Sequence, residues 1–84
     1  MKMKILYFAW LRECIGVSFE NYTTDQTTIS GLIEELVGRE ARYEKAFKNL
    51  SIIKVAIDHE LTSDMEASIV GVEEIAFFPP MTGG

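Results

Sequence analysis

The sequence predicts an α+β domain, a mixed sheet with a helix laid across one face, and three observations carry that expectation. Residues 3–9 and 17–23 alternate apolar and polar side chains with period two; residues 29–37 repeat their apolar positions with helical period; residues 53–57 and 73–78 return to alternation. Strands flanking one amphipathic helix bury their apolar sides by closing helix onto sheet.

The elements follow in order. In MKILYFA, residues 3–9, Ile5, Tyr7 and Ala9 share one strand face, and Lys4, Leu6 and Phe8 share the other. In WLRECIG, Trp10, Leu11 and Cys14 at helical spacing before Gly16 predict a single helical turn and a reversal. VSFENYT then places Val17, Phe19 and Asn21 opposite Ser18, Glu20 and Tyr22, a second strand expected to pair antiparallel with the first. Thr23–Thr28 is a polar loop, and Thr27 or Thr28 suits the N-cap of the next element. Ile29, Leu32, Ile33, Leu36 and Val37 line one helical stripe, which leaves Glu34 and Glu35 as a solvated face and Gly38 as the stop. Glu40–Asn49 predicts a weaker helix with Tyr43, Ala46, Phe47 and Leu50 apolar and Glu44/Lys48 as a supporting pair.

In the second half, Ile53, Val55 and Ile57 alternate with Lys54, Ala56 and Asp58, and Asp58, His59 and Glu60 form a turn. Leu61 and Thr62 suggest a short returning strand, residues 63–68 a polar connection, and Val70-Gly71 a turn. The last strand, Glu73–Phe78, sets Ile75 and Phe77 against Glu74, Ala76 and Phe78, and Pro79 and Pro80 end it because neither donates to a ladder. The first strand is expected centrally, beside the last. The expected core is Ile5, Tyr7, Phe19, Ile29, Leu32, Ile33, Leu36, Ile53, Val55, Ile57, Ile75 and Phe77.

Composition narrows the function classes. A chain of 84 residues has room for one domain, and 48% hydrophobic with 25% charged residues is globular composition. A net charge of −5 argues against a nucleic-acid partner. Its apolar runs are far shorter than the roughly 20 residues a membrane helix needs, and no signal-peptide pattern opens it, so a cytoplasmic location without membrane is expected. Cys14 is the one cysteine and His59 the one histidine, which supplies neither an internal disulfide nor a metal site. No nucleophile elbow, phosphate loop or Cys-x-x-Cys is present.

What remains is the C-terminus, FFPPMTGG, in which an apolar strand end is stopped by Pro79-Pro80 and released through Met81 and Thr82 into Gly83-Gly84. Glycine lets a backbone thread a narrow channel and leaves its carboxylate open to attack. The prolines hold the root extended, so the last four residues reach at most ~13–14 Å beyond it. This divides the chain into a domain, residues 1–80, and a presented tail, residues 81–84.

The opening KILYFAWLRE, the amphipathic TISGLIEEL, the strand-turn VAIDHEL and above all EEIAFFPPMTGG resemble the small-subunit family of molybdopterin synthase, ubiquitin-like sulfur carriers, over essentially the whole chain. The resemblance implies a β-grasp fold. It implies that an E1-like, ATP-dependent enzyme adenylates Gly84 and that a sulfur donor, a cysteine desulfurase or rhodanese-type protein, converts it to a thiocarboxylate (1-thioglycine). The tail then enters the large synthase subunit, in a heterotetramer of two small and two large subunits, and delivers sulfur to cyclic pyranopterin monophosphate. The carrier binds no cofactor or metal itself, and the catalytic residues belong to the large subunit. Trp10, Asp58 and the VGVEE loop depart from the family pattern, and none touches the tail.

A modifier joined through Gly84 to lysines, and a sulfur carrier of another pathway such as thiamine synthesis, begin with the same adenylation and remain open alternatives. If the first and last strands are parallel neighbours, Phe8 and Phe78 lie side by side on the face the helix leaves open, with Leu61 extending the patch and Arg12 at its rim. Such a cluster at the root of a reactive tail is expected to be a docking surface.

Overall fold

The first strand of the computed structural model, which describes residues 1–80, is β1 (Lys2–Tyr7), and its neighbours are the C-terminal strand on one side and the second strand on the other. Helix α1 (Ala9–Ile15) links β1 to β2 (Phe19–Thr23); α2 (Ile29–Arg39) and α3 (Ala41–Ala46) follow; a 3-10 turn (Leu50–Ile52) leads into β3 (Lys54–Ile57), β4 (Glu60–Thr62) and β5 (Glu74–Phe78). The sheet order is β2-β1-β5-β3-β4, with β1 and β5 parallel and every other pair antiparallel. This is the mixed α+β sheet that the sequence predicts, with β1 central beside the last strand.

One face of the sheet is closed. Met3, Ile5 and Tyr7 of β1, Val55 of β3 and Ile75 and Phe77 of β5 meet Ile29, Leu32, Ile33 and Leu36 of α2 and Tyr43, Ala46 and Phe47 around α3. The Phe47 ring stands edge-on to Phe77 at 5.0 Å between centroids. Thr28 caps α2, its hydroxyl accepting from the Gly31 N–H at 3.1 Å.

Several expectations are corrected. Ala9 is exposed and begins α1 with φ 52° instead of ending the strand. α1 is seven residues long, not a single turn, and buries Leu11 and Ile15, four apart, while Trp10 faces out. Gly16 does end it, in the left-handed conformation at φ 95°. α2 continues through Gly38 to Arg39, because the Arg39 guanidinium lies over the Tyr22 and Tyr43 rings at 4.9 and 5.4 Å and holds the last turn. α3 stops at Ala46, so Lys48 lies beyond it and forms no ion pair with Glu44. Ile57, at the end of β3, is only half-buried.

The largest correction concerns β2. The register pairs Met3 with Tyr22 and Ile5 with Glu20, so Glu20 and Tyr22 face the helices while Phe19, opposite Leu6, stands 48% exposed on the other face. Beside Tyr22, the core side of β2 supplies an acceptor, Glu20, where Phe19 was expected. Tyr7 and Tyr43 both donate their hydroxyl protons to Glu20 Oε2, at 2.8 and 2.6 Å, and Arg39 lies 3.6 Å from the other carboxylate oxygen. Burial first, then the Glu20 hydrogen bond, raises the pKa of both phenols and keeps them neutral. Glu35, on the outer face of α2, is not a free side chain: Tyr22 and Thr24 each donate to it at 2.7 Å.

Candidate functional site

The open face of the sheet is built by the strand parity that the core does not use. A row of small and apolar side chains crosses all five strands in register: Phe19 of β2, Leu6 of β1, Ala76 of β5, Ala56 of β3 and Leu61 of β4. Nearer the chain's end, the next row holds Phe8 and Phe78. Phe8 has extended φ/ψ of −118° and 154° at the start of α1, where its N–H donates to the Phe77 carbonyl at 3.1 Å. That bond continues the parallel ladder by one residue and sets the ring beside β5. Phe78 is the last residue of β5 and pairs with Lys54 across β3.

The two rings meet edge to face, 6.2 Å apart at 84°. Phe8 is 44% and Leu61 72% exposed, values that no residue of the core approaches. Phe78 and Leu61 also line a groove of about 390 Å³ with Lys54, Thr62 and Ser63. The structure thus brings Phe8, Phe78 and Leu61 together on one uncovered surface. Arg12 is exposed on α1 but does not line the groove. Directly after Phe78, Pro79 is buried and Pro80 half-buried, so the root of the tail is fixed to the domain. Met81, Thr82, Gly83 and Gly84 lie outside the described residues.

The turn after β3 is tied to the root strand. Asp58 and His59 take positive φ of 46° and 74°, a conformation Asp and Asn tolerate better than most residues. The Asp58 Oδ1 accepts from the backbone N–H groups of Glu73 and Glu74 at 3.1 and 2.9 Å.

Leu6, Phe19, Ala56 and Lys54 belong to this face without having been singled out as docking residues. The signal was in the alternation: the first, third and last strands each have an apolar or small residue on the off-core parity, where a solvated face would carry polar ones. Among the described residues no group of three or more His, Cys, Asp or Glu side chains is placed to hold a metal, and no helix is long and apolar enough to cross a membrane.

A family model described as the ThiS family matches residues 5–84. The chain belongs to the ThiS family. It is 30% identical over 88 residues to the molybdopterin synthase sulfur carrier subunit of Escherichia coli (strain K12), covering 98% of this chain and 99% of that protein. The proteins of the same name from Haemophilus influenzae (34% over 82 residues, 98% and 99% covered) and Dictyostelium discoideum (33% over 86 residues, 99% and 96%) are similarly related. Among solved structures, SAMP1 from Haloferax volcanii superposes with a TM-score of 0.74 at 23% identity, covering all of both chains. A putative molybdopterin converting factor subunit 1 from Pyrococcus furiosus superposes at 0.70 with 23% identity, covering 96% of this chain and 99% of that one. At these identities the superpositions speak for the ubiquitin-like fold.

Proposed function

We propose that this protein is the sulfur carrier and small subunit of a molybdopterin synthase, with Gly84 as the sulfur-bearing residue. The observation that carries the reading is full-length similarity, at 30–34% identity, to three proteins named as that subunit. The open-face cluster supports it, because a carrier must hand its tail to other proteins.

In this reading an E1-like enzyme spends ATP to adenylate the Gly84 carboxylate. The persulfide sulfur of a donor, a cysteine desulfurase or rhodanese-type protein, displaces AMP to give an acyl disulfide, and a thiol then cleaves the S–S bond, leaving the thiocarboxylate on Gly84 and a disulfide on the donor side. Phe8, Phe78 and Leu61 dock on the large subunit, with Arg12 at the rim, and Met81, Thr82 and Gly83 carry Gly84 into that subunit's catalytic site. Two deliveries to cyclic pyranopterin monophosphate complete the dithiolene, in a heterotetramer of two small and two large subunits in the cytoplasm. In this reading the domain is a donor, the catalytic residues lie on the large subunit, and Pro79-Pro80 aims the tail.

The test is deletion of Gly84 in a synthase reconstituted with the large subunit and precursor. Sulfur transfer is expected to vanish while the melting temperature of the isolated domain stays within a degree or two, because the deletion lies beyond the buried Pro79. Retained transfer would refute the assignment.

A further inference from the structure

The open face differs in charge from the rest of the molecule. Lys2 and Lys4 of β1 and Lys54 of β3 all project from it and all are exposed, whereas Glu74 is the single carboxylate among its strand residues. Three ammonium groups against one carboxylate leave a local excess of two positive charges, in a chain whose net charge is −5.

These cations are not spent internally. Glu74 neighbours Lys4 in the β1–β5 register, yet its carboxylate lies 3.6 Å from His59 Nδ1, and the Lys4 ammonium stands over the Phe19 ring at 4.7 Å. Among the described residues none of the three lysines has a carboxylate within ion-pair distance. Lys54 pairs in register with Phe78 and forms one wall of the Phe78–Leu61 groove, so its charge sits at the margin of the apolar cluster. The aromatic patch therefore has a cationic border, on a chain that is acidic overall.

We infer that the surface accepting this face carries carboxylates that meet Lys4 and Lys54 around an apolar centre, and that this charge pairing sets the rate of association and the orientation of docking. The inference rests on the docking role proposed for Phe8 and Phe78 and adds the partner's chemistry to it. On a chain of net negative charge, the lysine border favours the approach that puts the tail root first.

The experiment is stopped-flow association of the full chain with the large subunit from the same organism, across salt concentrations. For the wild type, raising salt from about 0.05 to 0.5 M is expected to slow association about tenfold, because salt screens the attraction between the lysine border and the partner's carboxylates. A Lys4→Gln/Lys54→Gln double variant is expected to associate several-fold more slowly at low salt with a flatter salt dependence, and Lys4→Glu/Lys54→Glu at least tenfold more slowly. Lys45→Glu on α3, at the opposite face, changes net charge without touching the border and should stay within about twofold. Thermal melts accompany each variant, and the wild-type salt series needs no variant at all. A salt-independent wild-type rate, or slowing by Lys45→Glu equal to that of the border variants, overturns the inference. Phe8→Ala separates it from its premise: if that variant weakens the complex while the lysine variants do not, the docking face stands and the acidic rim falls; if it too leaves affinity unchanged, both fall.

Discussion

Truncating Phe8 to Ala separates a docking role from a structural one, and the structure sets the size of each effect. Phe8 is 44% exposed in the free domain. Burying a whole phenylalanine side chain is worth about 1.5–3 kcal/mol, so a little over half of that, about 1–1.5 kcal/mol, is what the isolated fold loses on truncation. The exposed remainder is available only to a partner. Adding the void that truncation leaves in a closed interface brings the loss in binding to about 2 kcal/mol, roughly a thirtyfold rise in Kd. Phe78→Ala should behave in the same way, since its ring forms the other half of the pair. Phe77→Ala, which removes a ring with no exposure, should cost the free domain about 3–5 kcal/mol. Titration calorimetry with the large subunit, beside thermal melts of the three variants, reads both effects. Unchanged affinity for Phe8→Ala and Phe78→Ala, or collapse of the free domain in either, would show the reasoning to be wrong.

Leu32→Ala, at a fully buried position of the α2 stripe, should lose about 2–5 kcal/mol in denaturant melts, and a loss near 0.5 kcal/mol would mean the stripe is misplaced. Glu20→Ala strands the Tyr7 and Tyr43 hydroxyls and should cost about 2–4 kcal/mol; a near-neutral result would show that water replaces the carboxylate. The Thr24 and then the Tyr22 hydrogen bond hold the Glu35 pKa below its ordinary 4.5. Its contribution to stability is therefore complete above that value and lost as pH falls through the lower folded-state pKa. In urea melts Glu35→Gln should narrow its gap from the wild type as pH is lowered through that window, and a gap constant with pH would refute the linkage.

Much of the fold was legible because local pattern and tertiary demand agreed. The stripe from Ile29 to Leu36 is buried as its spacing requires, and Thr28 caps it. The parity of β1 and β5 placed Phe8 beside Phe78 before any coordinates, since parallel neighbours in register keep equivalent residues on one face. β2 was misread for a physical reason: its apolar Phe19 serves the open face, and its charged Glu20 serves the core, where two buried phenols need an acceptor. Local hydrophobicity carries no record of a donor that is distant in sequence. The end of α2 was misplaced similarly, because stacking of Arg39 on Tyr22 and Tyr43 outweighs the helix-breaking tendency of Gly38. The lysine border was visible only once the sheet order was known, as Lys4 and Lys54 lie far apart in the chain on strands that both flank β5.

The central claim is that Gly84 carries sulfur, and intact-mass measurement of the protein isolated from its native host tests it most directly. The account predicts a species in which one C-terminal oxygen is replaced by sulfur, mapped to Gly84 by the C-terminal peptide and absent when the activating enzyme is deleted. Finding only the plain carboxylate in cells that are making the cofactor, or finding Gly84 joined to lysines of other proteins in its place, would contradict it.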